Sequence, residues 1–155
     1  MKNQLEVVSN HRAVLGESPI WNERIGQIAW VDVLEGRIFT YRPLDERFQE
    51  FNIEKHIGCI ALCDDNDGIS ILRISTKEIV KLRQLIFDEQ FRLNDGAVDA
   101  RGRFLVGSMG YTPTKDSGKL FTFSIGEKPK ILLPNVGISN GICWNKDSSM
   151  MFYVD

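Results

Sequence analysis

Trp144-Asn145-Lys146-Asp147-Ser148-Ser149-Met150-Met151-Phe152-Tyr153-Val154-Asp155 repeats the outline of Trp21-Asn22-Glu23-Arg24-Ile25-Gly26-Gln27-Ile28-Ala29-Trp30-Val31-Asp32. Each copy is a Trp-Asn pair, a polar turn, a four-residue apolar run and an aspartate. The Trp-to-Asp spacing is eleven residues in both, and the two tryptophans stand 123 residues apart. Three periods of about 41 residues fill that gap, which is the spacing of propeller blades rather than of one compact core. In between, Asp95-Gly96-Ala97-Val98-Asp99-Ala100-Arg101-Gly102-Arg103-Phe104-Leu105-Val106-Gly107 shows glycine, apolar pair, polar turn and apolar strand again. A weaker copy runs Gly58-Cys59-Ile60-Ala61-Leu62-Cys63, then an acidic turn, then Ile69-Ser70-Ile71-Leu72. Four starts, near residues 18, 58, 95 and 140, are spaced as four-stranded antiparallel blades require. The expected fold class is therefore all-β, a partial β-propeller of a little over three blades. Ordinary meanders in a closed sandwich or barrel are the competing all-β reading.

The strand pattern extends along the whole chain. Leu5-Val8, Pro19-Trp21, Gln27-Asp32, Arg37-Tyr41, Phe48-Ile53, Ile57-Leu62, Ile69-Ile74 and Glu78-Leu82 are short apolar runs bounded by turn residues. Ala97-Val98, Phe104-Ser108, Leu120-Ser124, Lys130-Leu133, Gly141-Trp144 and Met150-Val154 continue the series. Asp-Gly and similar punctuation at short intervals argues antiparallel hairpins. Only Lys81-Phe87 reads as a possible short helix, and it lacks caps. Trp21, Trp30 and Trp144 fall in strand pattern and are assigned to the core. Leu5-Val8 is expected to pair with a last blade, so residues 1–155 read as the N-terminal part of a single propeller domain, truncated at its C-terminal end.

Composition narrows the function classes. Apolar residues make up 43% and charged residues 26%, with a net charge of −2. That balance offers no basic field for nucleic acid or for an anionic membrane. No apolar run is long enough for a spanning helix, and Met1-Lys2-Asn3-Gln4-Leu5-Glu6 lacks a signal-peptide core. Three cysteines, Cys59, Cys63 and Cys143, form an odd and sparse set. Free thiols in a reducing, cytoplasmic setting are expected, with the cysteines buried in strands. A zinc site drawing on Cys59, Cys63, His11 and His56 is disfavoured, because no second Cys pair exists. Neither a Gly-x-Ser-x-Gly elbow nor a Gly-rich phosphate loop occurs. Asp64-Asp65-Asn66-Asp67-Gly68 fails the ligand spacing of a calcium loop and reads as a polar hairpin tip.

Five short motifs follow one another in order: Leu15-Gly16-Glu17-Ser18-Pro19-Ile20-Trp21, Arg92-Leu93-Asn94-Asp95-Gly96, Gly102-Arg103-Phe104, Gly107-Ser108-Met109 and Ser139-Asn140-Gly141. Together they resemble the SMP-30/gluconolactonase/regucalcin-like family from about residue 13 onward, over the N-terminal half of its fold. The resemblance implies a six-bladed β-propeller, with one divalent metal in its central channel. It implies Glu17 and Asn140 as metal ligands, and a third ligand, an Asp, lying beyond Asp155. It implies Arg92 and Asn94 as substrate-binding residues that hold lactone hydroxyls. Where some members carry a Glu after the Gly-Ser/Thr-Met segment, this chain has Tyr111-Thr112, which bears on substrate choice.

The chemistry that the resemblance implies is hydrolysis of small sugar lactones. A carboxylate and an amide oxygen are hard ligands suited to Ca²⁺, with Zn²⁺, Mn²⁺ or Mg²⁺ as alternatives. Such a metal polarises a lactone carbonyl and lowers the pKa of the attacking water. The general base is expected to be the Asp beyond Asp155, so no catalytic residue is assigned within residues 1–155. Three other readings remain at this point. These are a hydrolase of other esters or organophosphates, a calcium-binding regulatory protein without turnover, and a fragment inactive alone. The expected partners are a small-molecule sugar lactone and a second copy or a C-terminal half that completes the propeller. Glu17, Asn140 and Arg92 also have plain alternatives as turn or rim residues, and Asp95 is expected to be turn chemistry alone.

Overall fold

A computed structural model describes residues 6–53, 55–62, 70–73, 78–81, 88–124 and 127–155. Every regular element among them is a β-strand: β1 (Gly16–Asn22), β2 (Gln27–Asp32), β3 (Arg37–Arg42), β4 (Arg47–Asn52), β5 (Ser70–Arg73), β6 (Glu78–Lys81), β7 (Phe91–Val98), β8 (Phe104–Gly110), β9 (Gly118–Phe123), β10 (Lys130–Val136), β11 (Asn140–Trp144) and β12 (Met151–Val154). No helix among the described residues is long and apolar enough to cross a membrane. The chain falls into two compact units, Met1–Ile57 and Gly58–Asp155.

The first unit is one antiparallel sheet in the order β1-β2-β3-β4. Its three hairpins share one construction. Asn22 pairs with Gln27, Asp32 with Arg37 and Arg42 with Arg47, and the residue before each returning strand is left-handed: Gly26 (φ 58°), Gly36 (φ 62°) and Glu46 (φ 53°). Glycine fits that backbone at two of the three positions without steric cost. At Gly36 a side chain would also collide with the Lys55 backbone. Period-two alternation puts Val31, Ile38 and Phe51 on one face of the sheet and Trp30 and Phe39 on the other, and Val31, Phe39 and Phe51 are all buried. Phe39 is fully buried and meets Trp30 at 5.5 Å, Phe48 at 5.9 Å and the His11 ring at 4.2 Å between centroids. An aromatic cluster of this kind adds specific geometry to a large buried area.

The second unit holds a four-stranded antiparallel sheet in the order β10-β9-β8-β7 and the pairs β11-β12 and β5-β6. Leu105, Val106, Met109, Leu120, Phe123 and Val136 form its apolar core. β11 lies beside β7. Two features tighten the packing. A Cβ on Gly118 would strike the Ser108 carbonyl, and one on Gly107 would overlap the Ser139 side chain.

The all-β architecture of antiparallel four-stranded sheets matches the sequence expectation, with specific corrections. Glu6–Val8 and Ile57–Leu62 are not strands, so the weak repeat near residue 58 lacks its first one. β7 begins six residues before Ala97, because Phe91–Gly96 pairs with β8 despite its polar Arg92, Asn94 and Asp95. Trp21 is 49% exposed, and Cys143 is exposed rather than buried. Cys63, the Asp64–Gly68 tip and residues 82–87 of the possible helix lie outside the described residues.

Candidate functional site

Glu17, Asn94 and Asn140 each sit at an irregularity in the first strand of a sheet, and Arg92 lies just before one in regular pairing with Met109. The β1–β2 register shifts between Glu17 and Ile20, the β7–β8 register between Leu93 and Gly96, and the β11–β12 register between Asn140 and Ile142. Bulges of this kind re-aim a side chain out of the pleat. Two of them carry a left-handed residue directly after the site residue: Ser18 at φ 53° after Glu17, and Gly141 at φ 64° after Asn140. A serine in that region stores strain, which persists only where its surroundings hold it.

The aspartates of the long repeat fasten the backbone just ahead of Glu17 and Asn140. Asp32 is fully buried, and its carboxylate accepts the N–H groups of Val14 at 2.9 Å, Leu15 at 3.2 Å and Glu35 at 3.3 Å. Burial works against its charge, but those bonds and one from the Leu34 backbone keep its pKa below the ordinary carboxylate value. Asp155 does the same for β11, accepting the N–H groups of Gly137 at 3.0 Å and Ile138 at 2.8 Å. The sequence separations agree, 18 and 17 residues in both cases. The role of these two residues was missed from sequence, although the Trp-to-Asp spacing marked them.

In the second unit the structure brings three of the four candidate residues together. Arg92 Nη1 donates to Asn94 Oδ1 at 2.6 Å and to the Leu93 carbonyl at 3.1 Å. Asn94 Nδ2 donates to the Ser139 carbonyl at 2.8 Å, next to Asn140. Asp95, expected to be a local turn residue, also reaches across the fold. Its carboxylate accepts Gly96 N–H at 2.8 Å and Gly141 N–H at 2.7 Å, the latter 46 residues away. Asn94 and Asp95 therefore clamp the Ser139-Asn140-Gly141 turn from both sides. Burial pushes the nearby Cys59 thiol up to about 12, and the Asp95 carboxylate adds to that effect.

Ser139 itself is fully enclosed against Gly107, and its hydroxyl has no well-formed hydrogen bond among the described residues; nor has the Tyr153 hydroxyl. Burial raises the Tyr153 phenol, the Ser139 hydroxyl beside it works the other way, and the Asp155 carboxylate adds to the rise. Tyr111, in the place where the resemblance expects a Glu in some members, is 46% exposed and donates its N–H to the Gln90 carbonyl at 2.9 Å.

Glu17 and Asn140 present exposed side-chain oxygens that make no hydrogen bond or ion pair among the described residues. A carboxylate and an amide oxygen, each left open in its own unit, are donors of the hard class that Ca²⁺ or Mg²⁺ prefers. Among the described residues no group of three or more His, Cys, Asp or Glu side chains is placed to hold a metal ion. A shallow cleft of about 320 Å³ in the first unit is lined by Leu34, Glu35, Gly36, Asn52, Lys55 and His56, and none of the four site residues borders it.

Comparison with known proteins identifies the family and the fold. A family model described as SMP-30/Gluconolactonase/LRE-like region matches residues 15–155. Regucalcin of Xenopus laevis is 28% identical over 98% of the chain and 55% of the relative. The 6-deoxy-6-sulfogluconolactonase of Pseudomonas putida is 27% identical over 100% of the chain and 56% of the relative. The chain thus spans about half the length of the curated relatives it matches. In fold it superimposes on the crystal structure of a calcium-binding protein, regucalcin, from Agrobacterium tumefaciens with a TM-score of 0.88. That match has 22% identity and covers 96% of the chain and 53% of the solved one.

Proposed function

The chain belongs to the SMP-30/gluconolactonase/LRE-like family, and from that premise we propose that the whole protein hydrolyses small sugar lactones with the help of one divalent cation, on a β-propeller scaffold. The observation that carries the proposal is the hydrogen-bonded chain Arg92–Asn94–Ser139. It ties the residues assigned to the sugar to the turn that presents Asn140. Lactonase-named relatives support the substrate class.

In this reading Glu17 and Asn140 hold the cation, calcium by preference. When bound, such an ion withdraws charge from a carbonyl and acidifies water. The remaining work falls to the chain's own groups. Asn94 spends its amide oxygen on Arg92 and one N–H on Ser139, which fixes its plane and leaves its second N–H to donate. Arg92, oriented by Asn94 and the Leu93 carbonyl, offers a planar set of donors to sugar hydroxyls. A lactone held this way loses little further orientational freedom on the way to reaction.

The test is hydrolysis of an aldonolactone by the whole protein, followed as acid release in weak buffer with an indicator. Turnover that stops with a chelator, returns with Ca²⁺ and is lost in Glu17→Gln and Asn140→Ala is the expected result. Turnover indifferent to the chelator and to both substitutions overturns the proposal. One observation favours a second reading: the similar solved structure is described as a calcium-binding protein. Ca²⁺ binding abolished by Glu17→Gln, with no turnover of any lactone, would select that reading.

A further inference from the structure

We infer that Asp32 and Asp155 are positioning residues that set the direction of the two cation-binding oxygens, one aspartate for each. This rests on the reading of Glu17 and Asn140 as cation ligands. The aspartates close the long sequence repeat, and the chemistry proposed above makes no use of them.

The two neighbourhoods correspond step by step. Glu17 pairs across the sheet with Val31, and Asn140 pairs with Val154. In both cases the residue that follows the partner valine is the aspartate, Asp32 at the end of β2 or Asp155 just past β12. Each carboxylate turns back and accepts two successive N–H groups just ahead of the donor: Val14 and Leu15 before Glu17, Gly137 and Ile138 before Asn140. Directly after the donor the backbone turns left-handed, at Ser18 and at Gly141. Each donor is therefore held between a charged clamp on one side and a bulge on the other. Charge-assisted bonds to backbone N–H are short and strong, and they leave the donor residue little freedom to swing. A site residue whose partners are preset binds an ion without a further ordering cost, and groups that orient metal ligands typically carry about 10- to 100-fold in affinity.

Asp99 provides the contrast. It too gathers backbone N–H groups, from Arg101 and Arg103, and pairs with the Arg103 guanidinium at 2.6 Å. It closes the β7–β8 hairpin, however, and braces no strand segment leading to Glu17 or Asn140.

The experiment compares Ca²⁺ dissociation constants, by titration calorimetry on the folded whole protein, for Asp32→Asn, Asp155→Asn, Asp99→Asn and Glu17→Gln. Thermal midpoints are measured alongside. Asparagine keeps the size of the clamp but loses its charge and one accepting oxygen. The expected result is a loss of about tenfold or more in Ca²⁺ affinity for Asp32→Asn and Asp155→Asn. Asp99→Asn lowers the midpoint but keeps the affinity, and Glu17→Gln abolishes binding. Because Asp32 is fully buried, its variant risks unfolding; the exposed Asp155 then carries the test alone. Affinity within twofold of wild type in Asp155→Asn, with Glu17→Gln still abolishing binding, overturns the positioning role and spares the cation reading. Unchanged affinity in Glu17→Gln overturns both.

Discussion

Replacing Gly107 with alanine tests the packing that carries the Ser139-Asn140-Gly141 turn. Gly107 lies in the buried stretch of β8, where a Cβ would overlap both Oγ and Cβ of Ser139 and sit 3.4 Å from its Cα. Rotating the serine about χ1 moves its hydroxyl but not its Cβ, so the clash is relieved only by backbone movement. Overpacking of this type costs about 1–3 kcal/mol, and with no soft atom to yield we place Gly107→Ala near the top, at about 3 kcal/mol. That shifts the folding constant by more than a hundredfold. In a cooperative unit of about 150–250 residues that lowers the midpoint by about 6–12 °C. Urea unfolding followed by circular dichroism reads the change, and the double variant Gly107→Ala/Ser139→Gly isolates its cause. Removing the serine side chain opens the space, so the double variant should be more stable than the sum of the single changes predicts, by about 1.5 kcal/mol or more. A Gly107→Ala variant within about 0.5 kcal/mol of wild type, or strict additivity in the double variant, refutes the reasoning.

Two further outcomes follow from groups whose ionisation the fold perturbs. Asp32 and Asp99 are both held below the ordinary value of 3.8; burial opposes their charge, and it is outweighed by backbone N–H bonds and, for Asp99, by the Arg103 guanidinium. A depressed folded pKa adds stability above the unfolded value and loses it as pH falls through the folded one. The Asp99→Asn variant should therefore lie below wild type at pH 7, with the gap closing on acidification below about pH 4; a gap constant across that range in pH-dependent thermal melts rules the account out. The two described cysteines should also differ in reactivity. Cys143 is exposed, whereas the Cys59 thiol at about 12 keeps its thiolate fraction on the order of 10⁻⁴ at pH 8. Iodoacetamide should label the Cys143 peptide of the folded protein and spare that of Cys59; equal labelling by peptide mass spectrometry contradicts this.

The fold class was legible because period-two patterning and turn residues are local properties. β2, β3, β4 and β12 fall within a residue of where the apolar runs place them. The misreadings occur where apolarity and pairing part company. Ile57–Leu62 is apolar enough for a strand but makes no ladder, while Phe91–Gly96 is polar and pairs with β8. Trp21 looked like core because tryptophan is bulky and the strand alternates, yet half of it faces outward at the irregular start of its sheet.

By itself, the sequence determined the antiparallel all-β architecture and the family, and it named four candidate residues, since residue types and their spacing are written along the chain. Only the tertiary structure decided what surrounds those residues. Asp95 reads locally as a turn former, yet it binds Gly141 from 46 residues away. Asn94 reads as a donor to substrate, yet its amide oxygen accepts from Arg92 and one of its two N–H groups goes to the Ser139 carbonyl. The repeated aspartates announced themselves by spacing alone, and their work as backbone clamps emerged once strand pairing folded Asp32 back onto Leu15 and Asp155 onto Ile138. Hydrogen bonds between distant residues depend on which strands lie side by side and in what register, and neither is a property of any local stretch of chain.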